Sequence, residues 1–115
     1  VLFRSQAMKD FIEEADTRPT AFFAASDTLA IGAMRALQEA AIRVPEDISI
    51  IGFNDISVAK YVSPTLTTVK VHTEWMGELA VETMKELCLN TPPVPRKIIV
   101  GTEFIQRDST KHSSK

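Results

Sequence analysis

Apolar residues along this chain fall into two kinds of pattern, and the contrast predicts most of the elements. Ala21-Phe22-Phe23-Ala24-Ala25 and Ile48-Ser49-Ile50-Ile51-Gly52-Phe53 are short, near-continuous runs. Strands of parallel sheets, covered on both faces, read this way. Each run stops at a polar pair, Ser26-Asp27 and Asn54-Asp55. Strands are therefore expected at 20–26 and 48–53, with a third, rich in β-branched residues, at Thr67–Val71. Elsewhere the spacing is helical. Met8, Phe11, Ile12 and Ala15 predict an amphipathic helix over 6–15, broken by Arg18-Pro19. Val1–Ser5 do not extend its face and read as a junction.

A second helix is expected over 27–41, with Ser26 or Asp27 as its N-cap. Val44–Asp47 is a turn into the next strand. Residues 54–66 read as a loop with a helical turn around Ser57–Tyr61. A long helix then runs from Thr73 to Leu89. Trp75, Met76, Leu79, Ala80, Met84 and Leu87 form its apolar face, and Glu74, Glu78, Glu82 and Lys85 its outer face. Glu74 and Glu78 suit the positive end of the helix dipole. Pro92-Pro93-Val94-Pro95 stops it. Arg96–Val100 and Glu103–Gln106 predict two short strands around Gly101, and Lys111–Lys115 a disordered polar tail.

Helix 27–41 carries more apolar surface than one sheet needs. Leu29, Ala33, Ala36, Leu37 and Ala40 cluster on one side, and Ala30, Ile31, Met34 and Ala41 continue the arc. The arc spans roughly 200°. Two readings fit: a helix buried between the sheet and another helix of this chain, or a subunit interface in which Ile31 and Met34 meet a second copy.

Composition narrows the class. The chain has 115 residues, 44% apolar and 24% charged, enough for one modest core. A net charge of -2 does not make a nucleic-acid footprint. The single cysteine, Cys88, excludes an internal disulfide and reads as a partly buried structural thiol. No run approaches the length of a membrane span. No signal-peptide pattern opens the chain, which reads as if it begins partway through a fold.

Ligands of open α/β sheets bind beyond the carboxyl ends of the strands. Ser26, Asp27, Asn54 and Asp55 stand there, and their hydroxyl, amide and carboxylate groups suit a ligand rich in hydroxyls. Local roles compete. Ser26 can cap a helix, and Asn54 can bond its own turn. His72 can cap helix 73–89, face solvent or touch ligand. Trp75 reads as core, and would stack on a sugar only if it faced the cleft.

Together these segments resemble the LacI/GalR family of transcriptional repressors, in the C-terminal part of its effector-binding core. The resemblance rests on Ala25-Ser26-Asp27-Thr28-Leu29-Ala30-Ile31-Gly32-Ala33, on Val44 through Asp55, on Pro64-Thr65-Leu66-Thr67-Thr68-Val69, and on Arg107-Asp108-Ser109-Thr110. It implies an α/β, periplasmic-binding-protein-like fold of two subdomains with parallel sheets, of which this chain is the C-terminal fragment. Residues 6–71 and 102–110 would belong to the C-subdomain, and 72–101, a helix plus a strand, to the N-subdomain. The resemblance makes Ser26 and Asn54 sugar contacts, with Asp27 and Asp55 beside them and Val71 and His72 lining the cleft. Although it is counted with the ligand-binding group, Asp27 reads chiefly as helix cap and as support behind the contacts. Leu29, Ile31, Met34, Val58 and Tyr61 match the family's dimer surface.

The implied protein is a cytoplasmic homodimer that binds a monosaccharide or small glycoside. It needs no cofactor, metal or membrane, and reaches operator DNA through an upstream domain. Asn54 stands where many members have Asp, Ser26 where many have Asn, and Val71 supplies no polar contact. Both polar pairs look like those of members that answer to galactosides. A periplasmic sugar-binding protein of a transport system is the alternative. An enzyme using Asp27 and Asp55 as paired carboxylates is disfavoured, because the chain offers no nucleophile, metal cluster or phosphate loop.

Overall fold

The computed structural model describes residues 2–14, 19–90 and 92–111. Eight elements follow in order: α1 (Leu2–Glu14), β1 (Ala21–Phe23), α2 (Asp27–Glu39), β2 (Ser49–Asn54), a 3-10 turn (Ser57–Lys60), β3 (Thr67–Val71), α3 (Thr73–Leu89) and β4 (Thr102–Ile105). The four strands make one sheet in the order β1-β2-β3-β4. β1, β2 and β3 are parallel, with Phe22 opposite Ile50 and Phe53 opposite Val69. β4 returns antiparallel, with Val71 opposite Thr102. The apolar runs therefore end at a common edge, as their near-continuous character predicts.

One face of this sheet is built and the other is bare. Leu37, Ala30 and Ala36 of α2 are buried with Ile50, Leu66 and Ile48 of the sheet side, and Met8 and Ile12 of α1 pack against that core. Phe11 meets Phe22 edge-on at 5.2 Å. Alternation sends the next residues the other way. Phe23 meets Phe53 at 6.4 Å on the far face, and Phe23 and Phe104 remain exposed.

The wide apolar arc of α2 is thus shared between sheet and α1, the reading in which a helix of the same chain covers it. Met34 is 3% exposed and belongs to the core, so it is not dimer surface in this chain. Leu29, Val58 and Tyr61 are exposed, and Ile31 is half-buried. α2 ends with Ala41 at φ 57, the left-handed position at which helices commonly stop, and the Ile42 amide bonds back to the Leu37 carbonyl at 2.9 Å.

Several expectations need correction. α1 starts at Leu2, because the junction residues continue the helical backbone. Ala15 and Arg18 lie outside the described residues. Arg96–Val100 is not a strand, since no neighbouring strand offers it a ladder. Cys88 is exposed rather than partly buried, because α3 buries no residue at all. Lys111 is engaged: its amide donates to Ser49 Oγ at 3.4 Å and its ammonium reaches the Glu46 carbonyl. The rest of the expected tail, 112–115, is outside the described residues.

α3 and the segment after it project from the sheet as an arm. The molecule measures 58 × 29 × 27 Å with a radius of gyration of 18.6 Å. A compact chain of this length would have about 13 Å. Met76, Leu79, Met84 and Leu87 line an open apolar groove against Arg96, Ile98 and Val100, and Arg96 pairs with Glu86.

Candidate functional site

The carboxyl ends of β2 and β3, with the start of α3, enclose a concavity of about 420 Å³. That volume suits a small ligand. Asn54, Asp55, Lys70, Val71, His72, Thr73, Glu74 and Trp75 line it. Of the residues expected to contact a ligand, Asn54, Asp55, Val71 and His72 are therefore brought together. Ser26 is half-buried at the neighbouring strand end but is not part of this lining. Its hydroxyl accepts from the Leu29 amide at 3.3 Å, so Ser26, and not Asp27, is the N-cap of α2.

Asp27 does different work. It is 0% exposed, and both oxygens are taken. Oδ2 accepts from the Ile56 amide at 2.7 Å, and Oδ1 from Thr68 Oγ1 at 2.5 Å. A ligand cannot reach it, which corrects its place among the contact residues: it positions the loop after β2. The sequence shows why such close approach is possible. A Cβ added at Gly52 would lie 2.2 Å from Asp27 Oδ1 and 3.2 Å from Asp27 Cα. Only a residue without a side chain lets the start of α2 settle on β2.

The loop so held is strained. Asn54 adopts φ 111 and Asp55 φ 53, values that L residues rarely take. Such strain costs on the order of 1–3 kcal/mol and persists only where surroundings over-determine it. Here the surroundings are explicit. Asp55 Oδ1 accepts from Arg107 Nη2 at 2.7 Å, and the Asp55 amide approaches Thr68 Oγ1 at 3.4 Å. Arg107 also donates from Nη1 to the Leu66 carbonyl at 2.8 Å. Asp55 is thus mostly occupied by an ion pair in which both side chains are 18% exposed. Paired catalytic carboxylates are absent from this arrangement, since Asp27 and Asp55 are each engaged elsewhere. Of the polar pair Asn54-Asp55, Asn54 is the exposed member.

Arg107 and its neighbours are the functional support that residue type alone does not reveal. Thr67 Oγ1 donates to the Arg107 carbonyl at 3.0 Å and accepts from the Arg107 amide at 2.9 Å. Ser109, fully buried, donates from Oγ to the Ile50 carbonyl at 2.6 Å and accepts from the Thr67 amide at 2.8 Å. Thr65 Oγ1 donates to Asp108 at 2.7 Å. The segment after β4 therefore bolts β2 and β3 together at the end opposite the concavity. The signal in sequence was the polar cluster 107–110 paired with Thr65, Thr67 and Thr68, too many hydroxyls for an ordinary buried strand.

Residues 3–110 match the family model described as the periplasmic binding protein-like domain. The chain is 49% identical over 100 residues to the HTH-type transcriptional regulator GalR of Streptococcus thermophilus, covering 87% of this chain and 30% of that protein. It is 41% identical over 99 residues to the lactose operon repressor of Rhizobium radiobacter, covering 86% of this chain and 87% of that sequence. Among solved structures it is similar to the Lac repressor dimer bound to operator and an anti-inducer, with a TM-score of 0.86 and 30% identity over 93% of this chain and 37% of that one. The complex of transcriptional regulator CelR with cellobiose gives a TM-score of 0.85 at 30% identity, over 92% of this chain and 32% of that one.

Proposed function

The chain belongs to the periplasmic binding protein-like family, within its LacI/GalR repressors, and from that premise we propose that the concavity at Asn54 is the effector site of a sugar-responsive repressor. The effector is a monosaccharide or small glycoside of galactoside type. The observation that carries the reading is Asn54: exposed, at φ 111, and held there by the Asp27, Thr68, Asp55 and Arg107 lattice. Strain of this kind gathers where a side chain must be presented to something outside the fold. A structurally similar regulator, CelR, forms a complex with cellobiose, which supports a sugar as the class of effector.

Asn54→Gly tests it, because glycine keeps the positive φ and removes only the amide. In the full-length protein, calorimetry with a methyl galactoside should show binding weakened by about 0.5–1.5 kcal/mol per lost hydrogen bond. Unchanged affinity would sink the assignment.

The wider reading is a cytoplasmic homodimer that reaches operator DNA through a domain outside this chain. Leu29, Ile31, Val58 and Tyr61 are the apolar side chains available for the pairing. Effector would act by differing in affinity for two arrangements of the dimer. Ile31→Asp should give a monomer in sedimentation that still binds sugar; a dimer of normal stability would move the interface elsewhere.

A further inference from the structure

We infer that the effector carries an anionic group, a phosphate or carboxylate borne by the sugar, and that Lys70 binds it. The inference rests on the effector reading above and narrows its ligand class.

Lys70 is half-buried near the end of β3, and the strand register sets it directly across from Asn54. Both line the concavity. A cation taken partly out of water calls for a partner. Lys9 and Arg107, also half-buried, each have one: Lys9 pairs with Glu39 at 2.6 Å, and Arg107 with Asp55 at 2.7 Å. Lys85 and Lys97 form no ion pair among the described residues, but both are exposed, where water serves. Lys70 makes no hydrogen bond or ion pair among the described residues. It combines partial burial, a place on the wall of a concavity and an uncommitted charge.

The carboxylates around Lys70 leave that charge unanswered. Asp55 is spent on Arg107. Glu103 stands opposite Lys70 on β4, is exposed, and forms no ion pair with it. Glu74 lies on the wall of the concavity in the first turn of α3, exposed, where the helix dipole already favours its charge. Glu74 keeps an anion away from its own side, so the anionic group lies towards β3, beside Lys70. A neutral hydroxyl can accept one of the ammonium hydrogens but leaves the charge uncompensated. A phosphate or carboxylate accepts the hydrogen bond and neutralises the charge together, and such charge-assisted bonds are roughly twice as strong. The concavity, about 420 Å³, has room for such a group on a pyranose, with the sugar hydroxyls left to Asn54.

The test uses full-length protein and calorimetry with four probes: methyl β-D-galactopyranoside, D-galactose 6-phosphate, α-D-galactose 1-phosphate and D-galacturonate. At least one anionic probe should bind wild type roughly tenfold more tightly than the neutral galactoside. A phosphate probe in front marks a sugar phosphate, and galacturonate in front a sugar acid. The advantage should shrink severalfold between about 50 mM and 500 mM salt, which screens the lysine and leaves neutral binding in place. Lys70→Met keeps the apolar stem and removes the charge, and should bring the anionic probes down to the level of the neutral one. Lys70→Arg should retain the advantage. The salt dependence is read on wild type, so the inference stays testable if Lys70→Met does not fold. Equal or weaker binding of every anionic probe would overturn the anion site, as would an advantage that survives in Lys70→Met or ignores salt. Each of those results leaves the effector site standing, because methyl galactoside still binds. No binding of any probe to wild type would overturn both readings.

Discussion

The sheet with α1 and α2, and the arm formed by α3 and residues 92–101, have comparable shares of apolar side chains but opposite fates for them. Leu37, Ile50 and Leu66 are fully buried on the sheet side, whereas α3 buries nothing and leaves Met84 and Leu87 open. Periodicity reports a face that needs covering, not a face that is covered. α2 finds both its covers, sheet and α1, within the chain. α3 has an equally regular stripe and finds only residues 96–100.

Single substitutions separate the two regions. The largest effect belongs to Leu37→Ala, which opens a cavity in the built core. It should cost about 2–5 kcal/mol in a denaturant melt of the full-length protein. Next comes Gly52→Ala, whose new Cβ meets both the side chain and the backbone of Asp27. It should cost about 1–3 kcal/mol by overpacking. Full stability in that variant would mean that the start of α2 is not seated on β2 as described. The smallest is Met84→Ala in the 115-residue chain, within about 0.5 kcal/mol because the side chain is already wet. The same change in the full-length protein should rise to about 2 kcal/mol or more if the groove is covered there. Equal costs in both contexts would show that nothing covers α3.

Much of the fold was legible because local and tertiary demands agreed. β3 at Thr67–Val71 and α3 at Thr73–Leu89 match the pattern residue for residue. The β-branched run, the acidic first turn and the proline stop each select one structure. β1 is shorter than its apolar run, since Ala24 and Ala25 continue only far enough for the Ala24 amide to bond the Ile51 carbonyl at 2.8 Å. Arg96–Val100 fails for the opposite reason: strand character is in the residues, but a strand also needs a neighbour.

The candidate site was legible as a place and less so as a set of roles. The strand ends located Asn54, Asp55, Val71 and His72. They could not show that Asp27 faces inward, because a carboxylate at a strand end looks the same whether it meets water or a buried amide. The stripe on α3 was drawn too wide, since at about 100° per residue Trp75 lies well off the line of Met76, Leu79 and Leu87, and it does not line their groove. Met34 illustrates the converse. Its spacing suited a dimer face as well as a core, and only its burial with the core chose between them.

The pairing of Val71 with Thr102 has a consequence for how this molecule can be rebuilt. From the sheet outward, everything between those two residues is one oversized hairpin loop. The register of β3 and β4 is set below it, by Arg107, Ser109 and the threonines. The arm is therefore a cassette. Excised and closed with a two-residue turn, it should leave the strands on either side in their places.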